Sequence, residues 1–72
     1  MDPVYKIVEI VGTSKTSIED AITNGLARAS ESLRRIGWFE VRATRGHVVD
    51  GKIEHFQVEL RVGFTLEQKH GS

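Results

Sequence analysis

The sequence predicts an α+β fold in which a three-stranded antiparallel sheet packs on one helix, with the element order βαββ. One apolar stripe of helical period follows a short stretch rich in β-branched residues, and two long segments of period two come after it. "DG" at 50 and 51 joins these segments as a tight hairpin turn. A right-handed crossover through the helix leaves a gap that the third strand fills, so the expected strand order is 1-3-2.

The first strand and the helix follow from the residue types near the N-terminus. Val4 to Val11, "VYKIVEIV", is rich in β-branched residues, ends at Gly12 and is apolar on both faces, which is typical of a strand covered on both sides. Thr16 with Glu19 fits a capping box, so a helix of about 18 residues, roughly 27 Å long, is expected to begin there. Gly25 is expected to permit close packing beside the apolar stripe. The stripe consists of Ile18, Ala21, Ile22, Leu26, Ala29 and Leu33.

The hairpin register can be checked against the sequence. Strands are expected from Trp38 to Val49 and from Lys52 to Leu66, and the two-residue turn fixes every opposed pair if no bulge interrupts the ladder. Apolar pairs then fall on the helix side and opposite charges fall on the reverse face, which supports the register. The helix-side pairs are Phe39 with Val62, Val41 with Leu60 and Ala43 with Val58; the reverse-face pairs are Glu40 with Arg61, Arg42 with Glu59 and Trp38 with Gly63.

This register places Trp38 on the reverse face and sends Phe39 into the core. The indole then either anchors an interface between subunits, because tryptophan is enriched in interface cores, or forms a stacking platform for a planar ligand. Strands of about 12 residues reach roughly 40 Å, so the hairpin overhangs its helix and needs cover from other subunits. Trp38 and Gln57 lie roughly 20 Å apart along the hairpin. A small ligand therefore contacts both only where chains meet.

Size and charge limit the possible classes of function. Residues 1–66 of the 72 are expected to form one domain, and residues 67–72 a polar tail. There is no cysteine, and His47, His55 and His70 lack ligand-like spacing, so no metal site is expected. Ten basic and ten acidic residues argue against a nucleic-acid partner. Without a signal peptide or a long apolar run, a cytoplasmic protein with no membrane partner is expected.

Several stretches of the chain together resemble the dodecins, which are small flavin-binding proteins, from Tyr5 to Glu67. Their order and spacing make the match specific, whereas no single stretch is a chemical signature. At Gly37 the chain departs from bacterial members, which often carry an acidic residue there. The matching stretches are "YKIVEIVGTS" at 5–14, "AI" and "GLARA" within 21–29, "WFEV" at 38–41, "RGH" at 45–47, "HFQV" at 55–58, and "VGF" followed by "LE" within 62–67.

The resemblance implies a dodecin-like βαββ subunit, a hollow homododecamer of cubic symmetry and flavins held in pairs at subunit contacts. It also implies that Trp38 stacks on the isoalloxazine ring, that Gln57 hydrogen-bonds its pyrimidine edge, and that Arg45 and His47 line the same pocket. The flavin would be riboflavin, FMN or FAD. Without the resemblance, Gln57 is an ordinary polar residue on a strand and Arg45 a surface charge near the hairpin tip.

The expected function is storage and sequestration of flavin, with photoprotection because Trp38 donates an electron to the excited ring. The sequence shows no nucleophile with a base, no acid pair and no phosphate-binding glycine motif, so we expect no enzymatic activity. Two alternatives remain open at this stage. One is a flavoenzyme that uses the bound cofactor to move electrons, and the other is a structural oligomer that binds no ligand.

Overall fold

The computed structural model describes residues 2–66, which form one helix and three strands. The strands make one antiparallel sheet in the order β1-β3-β2, so the predicted βαββ succession and the predicted strand order are both confirmed. The predicted polar tail, residues 67–72, lies outside the described residues. The elements are β1 Tyr5–Ser14, α1 Ile18–Ala29, β2 Ile36–Val49 and β3 Lys52–Thr65.

Helix α1 is shorter than predicted at both ends. Its N-cap is Ser17, whose Oγ accepts a hydrogen bond from the backbone N–H of Asp20 at 2.9 Å, so the predicted start at Thr16 is wrong. It ends at Ala29, which leaves Leu33 outside the helix. The 12 residues of α1 reach only about 18 Å.

Ser17→Ala is expected to lower the free energy of unfolding by about 1 kcal/mol, because the Asp20 amide loses its capping acceptor. The measurement is urea unfolding followed by circular dichroism at one protein concentration. Thr16→Ala is the matched control and should change the midpoint little. Equal losses in the two variants would contradict the assignment of the cap.

Two glycines let α1 lie close to the sheet. A β-carbon on Gly12 would stand 2.1 Å from the carbonyl oxygen of Ala21, and one on Gly25 would stand 3.3 Å from the Cα of Gly12. The predicted close packing at Gly25 is confirmed. β1 does not stop at Gly12, because its pairing with β3 continues to Ser14. The core beneath α1 consists of Ala21, Val58, Leu60 and Val62, with Val8, Ile10, Ile22, Leu26 and Ile36 packed against it.

The helix covers β1 and β3 and leaves much of β2 open. Phe39 lies on the helix side of the sheet, opposite Val62, as predicted. Its side chain is nevertheless 44% exposed, so the prediction that it enters the core of its own subunit is wrong. Val41, on the same side of β2, is similarly exposed. An apolar strip therefore runs along β2 beside the helix.

The hairpin turn has the predicted geometry. Asp50 and Gly51 have φ angles of 53° and 75°, the two positive values that a type I′ turn requires. The turn starts the ladder with Val49 opposite Lys52, as predicted. Four predicted pairs farther along the hairpin are also confirmed: Trp38 with Gly63, Phe39 with Val62, Glu40 with Arg61 and Val41 with Leu60.

Two bulges change the pairing in the middle of the hairpin. Between the pairs of His47 and Val48, β3 has one extra residue, Glu54; between those of Val41 and Ala43, β2 has one extra residue, Arg42. Each bulge shifts the pairing by one position. The predicted pairs between them are therefore wrong: Ala43 lies opposite Glu59, Thr44 lies opposite Val58, and Arg42 has no opposed partner.

The chain is elongated. It measures 59 × 20 × 14 Å and has a Cα radius of gyration of 15.3 Å, against about 11 Å for a compact domain of this length. The hairpin extends well beyond α1 because each of its strands has 14 residues. No helix in the described part of the chain is long and apolar enough to cross a membrane. The exposed large apolar residues of the hairpin are Trp38, Phe39, Val41, Val48, Val49 and Ile53.

Candidate functional site

The four predicted site residues lie on one face of the sheet, which we call the open face because α1 packs on the other. Trp38 lies opposite Gly63, Arg45 opposite Gln57, and His47 opposite His55. These β3 positions alternate with Val58, Leu60 and Val62, which are buried in the core beneath α1. The open face therefore carries Trp38 at one end and Arg45, His47 and Gln57 at the other.

The indole of Trp38 rests on the backbone of Gly63. A β-carbon on Gly63 would stand 2.2 Å from Cε2 and 2.3 Å from Cζ2 of the indole. Tyr5 of β1 contacts the indole edge to face, with ring centroids 6.4 Å apart and an interplanar angle of 62°. Trp38 is still 38% exposed. The indole thus has one face on the sheet and an accessible aromatic surface, the kind that stacks planar rings.

Gly63→Ala is expected to tilt the indole away from the sheet, because the new methyl group needs the space that the ring occupies. The indole can move by rotation about the side-chain bonds of Trp38, so the fold should survive. Because the displaced ring is more accessible, iodide quenching of tryptophan emission should increase. Gly46→Ala is the matched control, since its β-carbon would have no neighbour closer than 3.9 Å. Unchanged quenching in Gly63→Ala would contradict the resting position of the indole.

The other end of the open face presents an oriented amide. Arg45 donates from Nη1 to Oε1 of Gln57 at 3.3 Å. The same guanidinium forms an ion pair through Nη2 with Oε2 of Glu59. A side-chain amide has two N–H hydrogens and two acceptor lone pairs. Since the bond to Arg45 uses only one acceptor lone pair, the Gln57 amide keeps donor and acceptor capacity for further partners.

His55 also belongs to this end, although it was not predicted as a site residue. Its ring stacks on that of His47, with centroids 5.0 Å apart and an interplanar angle of 16°. Its Nε2 lies 3.3 Å from Nε2 of Gln57, and its Nδ1 lies 3.2 Å from Oε1 of Glu54.

The unbroken register would have placed Gln57 opposite Thr44. The bulge at Glu54 instead brings Gln57 beside Arg45, and its one sign in the sequence is the adjacent polar pair Glu54 and His55, which interrupts the alternation.

Charged residues separate the two ends of the open face. Nε of Arg61 lies 3.6 Å from Oε2 of Glu9, and its Nη1 lies 3.8 Å from Oε1 of Glu40. Gly63 and Gln57 are six positions apart on β3, or roughly 20 Å. The structure therefore brings Arg45, His47 and Gln57 together and leaves Trp38 apart from them. Within residues 2–66, no three histidine, aspartate or glutamate side chains are grouped to hold a metal ion.

The open face of the βαββ sheet carries an accessible indole and a hydrogen-bonded side-chain amide, the kinds of group that can bind a small planar ligand. The family model "Dodecin" matches residues 4–67. The dodecin of Thermus thermophilus is 48% identical over 68 residues, which cover 94% of this chain and 99% of that protein. The chain belongs to the dodecin family, and the resemblance seen in the sequence is confirmed.

Solved structures agree with this assignment. The dodecin from Streptomyces davaonensis matches with a TM-score of 0.91 and 44% identity, over 94% of this chain and 100% of that chain. A Mycobacterium tuberculosis protein described as a calcium dodecin with a calcium-binding site matches with a TM-score of 0.78 and 33% identity, over 96% of this chain and 99% of that one. The βαββ fold is therefore that of known dodecin structures.

Proposed function

We propose that this protein binds a flavin, either riboflavin, FMN or FAD, and stores and sequesters it without catalysing a reaction. Flavins are held in pairs at contacts between the subunits of a homododecamer in the cytoplasm, with no nucleic-acid or membrane partner. The observation that carries the proposal is the indole of Trp38, which rests on Gly63 and remains accessible. Membership of the dodecin family supports the choice of ligand.

The residues on the open face fit a flavin. The isoalloxazine system is planar and aromatic, so it suits the indole, and stacking on an aromatic side chain contributes about 1–3 kcal/mol per ring. Its pyrimidine edge has an imide N–H between carbonyl oxygens, which the donor and acceptor atoms of Gln57 complement. Submicromolar affinity needs a binding free energy of more than about 8 kcal/mol, more than stacking alone supplies. The remainder comes from burying the ring between subunits.

Oligomerisation completes the site because one chain cannot. Trp38 and Gln57 are separated by six positions of β3 with charged residues between them, roughly 20 Å, so a single ring system reaches both only if they belong to different chains. The apolar strip of β2 and the exposed hairpin tip, where Val48 is 62% exposed and Ile53 is 60% exposed, give neighbouring subunits a surface to cover.

Photoprotection follows from the contact between Trp38 and the ring. A bound flavin supplies a strongly absorbing chromophore that becomes an oxidant when excited. Trp38 would hold the ring by stacking and would supply one electron to its excited state, with the electron returning to the indole, so that nothing would be oxidised or reduced overall. Because the indole contacts Gly63 and Tyr5, it is held in place for this transfer.

The test is a titration of riboflavin with the protein while flavin emission is recorded. Emission should fall to a low plateau at saturating protein, and light scattering of the same sample should show a large assembly. Unchanged emission would count against the proposal and, with a large assembly, would select a structural oligomer. Oxidation of a reduced nicotinamide at the rate of an enzyme would instead select a flavoenzyme.

A further inference from the structure

A chain of hydrogen bonds on the open face has only one possible direction. It runs from the Arg45 guanidinium to Oε1 of Gln57, from Nε2 of Gln57 to Nε2 of His55, and from Nδ1 of His55 to Oε1 of Glu54. A guanidinium only donates hydrogen bonds and a carboxylate only accepts them. The intervening groups must therefore accept on the Arg45 side and donate on the Glu54 side.

This direction fixes one neutral form of His55. An amide nitrogen has no lone pair available to accept, so Nε2 of His55 must be the acceptor from Gln57 and carries no hydrogen. Nδ1 must carry the hydrogen, because it lies 3.2 Å from a carboxylate oxygen of Glu54. His55 is therefore neutral, with its hydrogen on Nδ1, whenever the chain is complete.

We infer that Arg45 and His55 are positioning residues that set the amide orientation of Gln57, and that protonation of His55 releases this orientation and weakens flavin binding. The inference deepens the proposed function and rests on it. Protonation places a hydrogen on Nε2 of His55, so that two donors face each other across 3.3 Å. If the amide reverses to accept that hydrogen, its NH₂ group meets the Nη1 donor of Arg45 instead. With His55 protonated, each orientation of the Gln57 amide therefore lacks one hydrogen bond.

The charges around His55 come from both hairpin strands. The carboxylate of Glu54 contacts the ring, the imidazole of His47 stacks on it, and the guanidinium of Arg45, paired with Glu59, lies beyond Gln57. β1 ends at Ser14, opposite residue 56, so none of its paired residues lies opposite His55.

The experiment measures riboflavin affinity of the full chain at about pH 8 and about pH 5, the range over which histidine side chains change charge. Riboflavin is used because the phosphate of FMN also titrates here. The wild-type affinity should fall about three- to tenfold toward acid, the effect of one lost hydrogen bond. His55→Phe keeps a flat ring for the stack but has no acceptor, so it should bind more weakly at the higher pH and show no fall.

Two further variants separate His55 from the other histidines. His70→Gln and His47→Phe should each keep the wild-type ratio between the two affinities, whatever their affinity at the higher pH. The same fall in His55→Phe as in wild type, or a wild-type affinity that does not change, would overturn the inference. A fall that coincides with dissociation of the assembly in light scattering would also overturn it.

A measurement without flavin keeps this inference separate from the proposed function. Nitrogen NMR of histidine-labelled, flavin-free protein at about pH 8 should show the His55 hydrogen on Nδ1, and the signal is assigned by its loss in His55→Phe. A hydrogen on Nε2 would overturn the hydrogen-bond chain. Failure to bind riboflavin at that pH would overturn the proposed function, while the NMR result would still decide whether His55 and Arg45 orient Gln57.

Discussion

Trp38→Ala is expected to weaken riboflavin binding by about tenfold to a hundredfold, the equivalent of the stacking energy of one aromatic side chain. The side chain that rests on Gly63 and offers the aromatic surface is then reduced to a methyl group. The fluorescence titration measures the loss directly. Residual emission at saturation should also rise, because the electron donor is gone.

Trp38→Phe is the matched control for this loss. Its ring is flat but smaller and a poorer electron donor, so binding should fall less than in Trp38→Ala while quenching is still weaker than in wild type. Both variants should keep the size of the assembly in light scattering. Wild-type affinity in Trp38→Ala would contradict the stacking site, and loss of the assembly in that variant would show that the indole is an interface anchor.

Phe39→Asp is expected to prevent assembly and, with it, riboflavin binding. Phe39 lies 44% exposed on the apolar strip of β2, beside a helix that packs mainly on β1 and β3. If another subunit covers this strip, the substitution buries an unpaired carboxylate at the contact, which costs several kcal/mol. Light scattering and size-exclusion chromatography should show small species where wild type is large.

The control for Phe39→Asp is Phe39→Leu, which keeps an apolar side chain and should assemble and bind riboflavin. Comparison of the two variants separates the effect of the added charge from the effect of losing the aromatic ring. An assembly of wild-type size in Phe39→Asp would mean that the strip is not covered by neighbouring subunits. Binding of riboflavin by the small species would contradict a site that needs more than one chain.

The hairpin shows how far the sequence pattern could predict the site. The extra residue on β3, Glu54, and the extra residue on β2, Arg42, shift the register in opposite directions and cancel. The pairs beyond both bulges, including Trp38 with Gly63, could therefore be predicted from the turn alone. The pairs between the bulges could not, because Arg42 leaves the alternation of β2 intact, and the adjacent polar residues Glu54 and His55, which interrupt the alternation of β3, do not by themselves identify a bulge.

The start of α1 and the choice of strands that it packs on show a second limit of prediction from the sequence. Thr16 and Ser17 are both cap-forming residue types, and the choice depends on Ser14, whose Oγ accepts from the Thr16 amide at 2.9 Å and donates to the Asp20 carboxylate at 2.7 Å. The bond between Ser14 and Asp20 forms only once β1 and α1 meet. Alternation likewise placed Phe39 on the helix side but carried no information about which strands the helix covers.

The most direct test of the central claim is a mixed assembly of Trp38→Ala and Gln57→Ala subunits, co-expressed with two different tags and purified through both. If Trp38 and Gln57 of different chains form one flavin site, some sites in the mixed assembly again contain both residues. Riboflavin should then bind part of these sites with wild-type affinity and full quenching, although neither variant alone does so. A titration of the mixed assembly equal to the average of the two separate variants would contradict a site shared between chains.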